Sequence, residues 1–326
     1  MAGRVLAPTT APEPGVTGIH GSRFSPVDLH LHTRVSDGDD EPPRLAEACV
    51  AAGVRVAAIT DHNTLAGIAP FRAAIGNRCR VLTGCEITTR WRGDEAHCLG
   101  YLIREDDPQL TARLKLVHDG ELRWWREWVR RAQRIGVRLN WAQVQRRLGA
   151  GRVAYPADFV DLLLETVGDD PRFRDYRPGD HRRLAAQWCQ PGQPLHVPEP
   201  WWPQLTEAIG WIHEAGGVAV LAHPSRLLDL SDVVAIQELA TLRGAGLDGV
   251  EVWTTWHTPA ESARLARLCT ELDLLTTIGS DYHGIRIKPW AARPGWVPAL
   301  PPEPFALVEA LADRCPFEVA GGTARP

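Results

Sequence analysis

Val27-Asp28-Leu29-His30-Leu31-His32-Thr33, followed by Ser36-Asp37-Gly38, alternates apolar residues with Asp and His between Pro26 and a Gly/Asp-rich turn. The pattern predicts a short buried strand, on which His30 and His32 project to the same face. Two imidazoles side by side at a strand end form half a metal site. Alternatively they are core histidines that satisfy one another and the backbone, because one such pair is a weak pattern by itself. The stretches that follow in the chain bear on that choice.

Pro42 to Gly53 has a proline start, apolar residues at helical spacing and a glycine stop, and is predicted helical. Val54 to Ile59 is apolar and β-branched without polar alternation, as expected of a strand covered on both faces of a parallel sheet. It ends at Thr60-Asp61-His62-Asn63-Thr64, placing His62 at the C-terminal rim. A helix is expected from about Leu65 to Ile75, then strands over Val81–Thr88 and Glu95–Ile103. The short Arg92-Gly93-Asp94 turn between those strands makes them a hairpin. After a helix from Leu205 to Ala215, strand-helix alternation resumes with Gly217-Val218-Ala219-Val220-Leu221-Ala222-His223-Pro224. Further strands are expected at Gly249–Trp253 and Leu274–Ile278, with helices at Val233–Arg243 and Pro259–Leu272, and the last strand runs into Gly279-Ser280-Asp281-Tyr282-His283-Gly284. Repeated strand-helix units imply a (β/α) barrel with its chemistry at the C-terminal strand ends.

Between about Asp106 and Gln193 the character changes to helical, charged and tryptophan-rich sequence, including Trp124, Trp125, Trp128 and Trp141. It contributes no predicted strand and reads as a helical insertion or lid. The helical spacing of Trp124, Trp125 and Trp128 suits packing of that insertion onto the barrel better than a base-stacking platform. The expected organisation is a disordered leader over 1–25, the first part of the barrel over 26–105, the insertion over 106–195 and the second part of the barrel over 196–326.

With 36 Lys+Arg against 40 Asp+Glu the net charge is −4, which gives no reason to expect a duplex-DNA footprint or attraction to anionic membrane. Seven scattered cysteines without CxxC spacing argue for a reducing cytoplasm and against a thiolate zinc site. No apolar run is long enough to span a bilayer.

The strand-end residues are His30, His32, Asp37, His62, Glu86, His97, His223, Asp281 and His283. Six imidazoles and three carboxylates buried at one barrel mouth would repel one another or go unsatisfied, at a cost of several kcal/mol, unless cations are present. Nitrogen and carboxylate ligands without thiolates suit Zn, Mn or Fe, and nine of them are enough for two or three divalent metal ions if a carboxylate bridges.

The motifs around these residues, Asp28-Leu29-His30-Leu31-His32-Thr33 with Ser36-Asp37-Gly38, Ile59-Thr60-Asp61-His62-Asn63-Thr64, Gly84-Cys85-Glu86, Ala222-His223-Pro224 and Gly279-Ser280-Asp281-Tyr282-His283, resemble those of the PHP (polymerase and histidinol phosphatase) family. The resemblance runs from about Asp28 to Gly284. It is greatest to the branch of the 3',5'-nucleoside bisphosphate phosphatases and RNase AM-type 5'-to-3' exoribonucleases. It implies an α/β fold, a distorted (β/α)7 TIM-like barrel with a helical insertion domain, and a trinuclear site. In that site His30, His32, Glu86 and Asp281 would hold one ion, Glu86, His97 and His223 a second, and Asp37, His62 and His283 a third.

Around the ligands, Asp61 is a candidate acceptor or proton carrier beside His62, or else a helix cap for the segment that follows. Arg226, in Ala222-His223-Pro224-Ser225-Arg226, matches an arginine of the relatives that could grip phosphate bidentately, with a solvated surface arginine as the alternative. Arg34 is a weaker candidate of the same kind. In the insertion the relatives' Thr-Arg-x-His-Phe-type stretch aligns with Tyr155-Pro156-Ala157-Asp158-Phe159, so that Pro156 and Asp158 stand where Arg and His are expected, and Arg152 is the nearby cation that could substitute.

Together these imply a cytoplasmic metal-dependent phosphatase acting on a small, nucleotide-like phosphate monoester. The other readings are a 5'-3' exonuclease on short RNA or DNA, a 3',5'-bisphosphate nucleotidase and a catalytically silent PHP module. The last is disfavoured because a silent site has no need of all nine ligands.

Overall fold

The computed structural model describes residues 23–149, 152–153, 156–230 and 234–315; most of the expected leader, and Tyr155, lie outside them. The barrel begins with β2 (Val27–Leu31), α1 (Pro42–Ala52), β3 (Val56–Ile59), α2 (Ile68–Ile75), β4 (Arg80–Trp91) and β5 (Asp94–Tyr101), preceded by the two-residue β1 (Arg23–Phe24). Four helices follow: α3 (Pro108–Arg134), α4 (Trp141–Leu148), α5 (Pro156–Val167) and α6 (His181–Trp188). The barrel is completed by α7 (Leu205–Glu214), β6 (Val218–Leu221), α8 (Val234–Gly244), β7 (Gly249–Thr254), α9 (Pro259–Glu271) and β8 (Leu275–Gly279). β9 (Trp296–Val297) and α10 (Pro304–Arg314) come last.

Punctuation in the sequence accounts for several of these limits. Proline opens α1 and Gly53 closes it in the left-handed conformation (φ 87°). Asp107 caps α3 by accepting from the backbone N–H groups of Gln109 and Leu110. Thr258 and Glu261 form a capping box at the start of α9.

Seven strands form one sheet in chain order from β2 to β8. All neighbours are parallel except β5, which is antiparallel to β4 and β6, and this is the distortion of the barrel. The ends meet where β8 returns to β2: His32 N donates to Tyr282 O at 2.9 Å, and the Asp28 carboxylate accepts from Ser280 N and Oγ. Glycine is required there, because a Cβ on Gly279 would lie 2.2 Å from the Cβ of His30. β1 and β9 pair as a small antiparallel ribbon, and neither it nor α10 carries a strong enough pattern to be expected from sequence.

At about 1.5 Å per residue the 27-residue α3 is roughly 40 Å long, and it serves two cores. Leu110 and Leu114 pack in the barrel core with Leu99, Ile209 and Val220. Trp125, Trp128, Val129 and Ala132 instead join Val144, Phe159, Leu163 and Leu195 in a second core. The tryptophans therefore do not dock the insertion onto the barrel, as their spacing suggested. They build the insertion's own interior, with Trp125 stacked on Phe159 at 3.6 Å.

Candidate metal centre

All nine strand-end residues converge at the C-terminal mouth of the barrel. Eight are buried and His62 is 17% exposed. The centre of the group is Glu86, on β4. Its Oε2 lies 3.0 Å from His30 Nε2, 3.1 Å from His32 Nε2 and 3.4 Å from His62 Nε2. Its Oε1 lies 2.8 Å from His97 Nδ1 and 3.0 Å from His223 Nε2. One carboxylate thus faces five imidazoles, three on one oxygen and two on the other. Asp281 Oδ1 lies 3.4 Å from both His30 Nε2 and His32 Nε2, and Asp37 Oδ2 lies 3.3 Å from His283 Nε2 and 3.8 Å from His62 Nε2.

Among the described residues three groups have ligand atoms close enough to share an ion: His30, His32, Glu86 and Asp281; His62, Glu86 and His97; and His32, Asp37, His62 and His283. The first coincides with a set implied by the resemblance. In the second His62 stands where His223 was expected, and the third adds His32. His223 still reaches Glu86 directly.

The donor set suits cations. Both nitrogens of His32 and Asp281 Oδ1 are buried without a hydrogen bond, although carboxylate oxygens lie 3.1 to 3.5 Å from His32 in directions that form none. Burial alone would keep His32 and His97 neutral, but the surrounding carboxylates raise both to about 9, the same negative field that would favour a bound cation. Burial likewise opposes ionisation of Glu86, yet His30, His62 and His97 hold its carboxyl well below the usual range.

Backbone strain marks the same rim. Asn63, His223 and Asp281 have φ of 55°, 24° and 53°, each just beyond a barrel strand. Several carboxylates and donors absent from the sequence reading orient the group. Glu251, in β7, places Oε1 2.8 Å from His30 Nδ1 and accepts from His223 N through Oε2. Asp28 braces the strand through His30 N, Ser280 and Gly295. Glu95 meets the other nitrogen of His97, and Lys288 Nζ and Trp256 Nε1 donate to Asp281 Oδ2 at 2.5 and 2.6 Å. The one signal that could have found Glu251 is a lone charge inside an otherwise apolar strand.

Four expectations about the surroundings need correction. Asp61 neither caps α2 nor serves His62; its carboxylate accepts from Thr33 N, Thr33 Oγ1 and Ser36 Oγ and so ties down the loop carrying Asp37. Arg152 is buried and binds backbone carbonyls, Nε to Ser36 O at 2.7 Å, Nη1 to Leu148 O at 3.2 Å and Nη2 to Gly38 O at 2.5 Å, and does not line the cavity. Arg34 is 38% exposed, pairs with Glu41 and does not line the cavity. Asp158 does not face the cavity either: its Oδ1 pairs with Arg286 Nη1 at 2.8 Å, so only Pro156 of that pair is a wall residue.

A cavity of about 780 Å³ covers the group, with the barrel mouth as floor and the insertion as roof. Arg226 lines it, its guanidinium 5.0 Å over the ring of Trp256. Glu121 and Trp124 of α3 line it as well. Burial pushes the Glu121 carboxyl up to about 7, a shift that a neighbouring cation would oppose.

A barrel with one reversed strand and a nine-residue His/Asp/Glu cluster at its mouth defines a class, and comparison with known proteins agrees. The PHP domain family model matches residues 28–158. A 3',5'-nucleoside bisphosphate phosphatase from Chromobacterium violaceum is 30% identical over 259 residues, covering 79% of this chain and 87% of the relative. The 5'-3' exoribonuclease Rnm of Escherichia coli is 33% identical over 283 residues, covering 83% and 90%. Among solved structures, an amidohydrolase from Chromobacterium violaceum with bound sulfate matches with a TM-score of 0.69 and 27% identity, covering 88% of this chain and 96% of that one. The chain belongs to the PHP family and is a metal-dependent phosphoesterase.

Proposed function

We propose that the protein hydrolyses the phosphate monoester of a small, nucleotide-like metabolite, with two or three divalent ions (Mn, Zn or Fe) held by the nine residues around Glu86. The observation that carries this reading is the placement of five imidazoles on the two oxygens of Glu86 at the floor of a cavity. Bound there, such ions supply a hydroxide nucleophile near neutral pH and neutralise charge on the phosphate and leaving group. The chain's own part is to place and orient. Glu251 sets the ring of His30, Lys288 and Trp256 fix one oxygen of Asp281, and Arg226 offers a guanidinium fork to the phosphate from the cavity wall.

The relatives' names include an exoribonuclease, but a chain-tracking nuclease needs a basic or aromatic track along which affinity falls steeply with salt. The net charge of −4 and the confined volume of the cavity, about 780 Å³, favour a small ester.

The test is phosphate release by chelator-stripped and Mn-reloaded protein. Substrates are nucleoside 2'-, 3'- and 5'-monophosphates, 3',5'-bisphosphates and short oligonucleotides. Release from mononucleotides that disappears on stripping and returns with Mn is expected, and a ladder of mononucleotides from RNA in its place would overturn the reading. Glu86→Gln should lose at least one ion by elemental analysis and lower kcat/KM by orders of magnitude; full metal content with near-normal turnover would remove Glu86 as the bridge.

A further inference from the structure

One face of α3 enters the cavity. Glu121, Trp124, Trp125 and Trp128 fall at i, i+3, i+4 and i+7, and all four line it. The face starts beside the candidate metal ligands, since Glu121 Oε2 accepts from Asn63 Nδ2 at 3.2 Å and Asn63 follows His62 in the chain. Asn63 is itself held by Thr88, whose N donates to Oδ1 at 3.0 Å and whose Oγ1 accepts from Nδ2 at 3.0 Å. Glu121 is therefore anchored by Asn63 and Thr88, and an anchored carboxylate keeps further acceptor capacity.

Trp124 stands one turn further from the cluster, about 4.5 Å along the helix axis at 1.5 Å per residue. Its indole Nε1 donates to Val197 O at 3.2 Å, and its ring meets Trp125 edge-on at 4.6 Å. The two indoles beyond it are committed to the insertion's interior: Trp125 is stacked on Phe159, and Trp128 is 2% exposed. Trp124 is half-buried, with its orientation set by Val197. The order along α3 is thus the metal-ligand cluster, a carboxylate, then an aromatic ring. A nucleotide has the same order of chemistry: an anion, a polyol whose hydroxyls donate to carboxylates, then a flat base that stacks on indole.

Building on the monoesterase reading above, we propose that Glu121 accepts a hydrogen bond from a ribose hydroxyl and Trp124 stacks on the nucleobase, which makes the enzyme selective for ribonucleotides. This selectivity comes from the insertion and not from the metal-binding barrel.

The experiment uses the Mn-loaded full-length chain. kcat/KM is measured for a nucleoside 5'-monophosphate, its 2'-deoxy and 3'-deoxy analogues, and ribose 5-phosphate. The wild type should disfavour at least one deoxy analogue by about tenfold or more, the usual loss when a site built to bond a hydroxyl finds none. Glu121→Gln, which keeps an acceptor for Asn63, should shrink that ratio toward one. Trp124→Ala should lower the preference for the nucleotide over ribose 5-phosphate, and Trp124→Phe should retain most of it. The wild-type ratios need no variant, so they decide the matter even if a substitution impairs folding. Equal use of both deoxy analogues by the wild type, or full discrimination in Glu121→Gln, would overturn the sugar assignment alone. Absence of phosphate release from every nucleotide would overturn the functional reading beneath it.

Discussion

Glu251 has a carboxylate with 0% exposure and no counter-ion beyond histidine, in the middle of the apolar run Gly249-Val250-Glu251-Val252-Trp253. Such a group persists because both oxygens are engaged, one on the His30 ring and one on the His223 backbone. Glu251→Gln preserves shape but removes the charge that fixes the His30 tautomer. It should weaken metal affinity by about 10- to 100-fold, measured by competition with a chromogenic chelator. Unchanged affinity would show that strand geometry alone orients His30. At this scale the sequence was readable for residues that alternate on a strand or end one, such as His30, His32 and His62. It was unreadable for those that work through another side chain: nothing near Lys288 in the chain hints that its ammonium lies 2.5 Å from Asp281.

The loop from Thr33 to Asp40, which carries Asp37, is held from two sides. Asp61 binds it from the end of β3, and Arg152, between α4 and α5, reaches 116 and 114 residues back to the carbonyls of Ser36 and Gly38. Arg286 joins the same elements by pairing with both Asp39 and Asp158 of α5. Arg152→Ala leaves the carbonyls of Ser36, Gly38 and Leu148 without this donor, at about 1–3 kcal/mol for each that stays buried and unpaired, and should lower Tm and reduce metal content on the Asp37 side. Lysine cannot reproduce the fork and should not rescue it; recovery of Tm by Arg152→Lys would show that charge, and not the paired hydrogen bonds, ties insertion to loop. For the same reason His at 158 would break an ion pair with Arg286 without adding a cation to the cavity. The lengths and types of α1, α7 and α9 were legible from their caps and periodicity. Which core each half of α3 would enter was not, because apolar spacing does not name its partner.

Across the whole molecule the two ends of the barrel do different work. At the mouth, charge is concentrated and the backbone strained; at the opposite end, ordinary pairs hold helices to strands. There His213, in α7, lies 2.7 Å from Asp248 Oδ2, which also accepts from Ala219 N. The Asp248 contact raises the His213 pKa above 6.5. A raised histidine stabilises fully below its unfolded value and loses that contribution as pH rises through the folded one. The Tm advantage of wild type over His213→Asn should therefore be largest near pH 6 and vanish well above neutrality, checked by melts across that range. An advantage that grows with pH would contradict the pairing. By itself the sequence determined that strands and helices alternate, that Arg92-Gly93-Asp94 turns one strand back, and that nine metal-type side chains fall at strand ends, because these depend on periods and neighbours within a few residues. Tertiary structure alone decided that Glu86 stands among five imidazoles and that Glu251 and Lys288 serve the cluster. It also turned Arg152 and Asp158 toward the fold and away from the cavity, and laid Glu121 and Trp124 along its wall. Barrel closure and the docking of α3 bring together residues far apart in the chain, and no local pattern encodes which direction a long side chain then finds open.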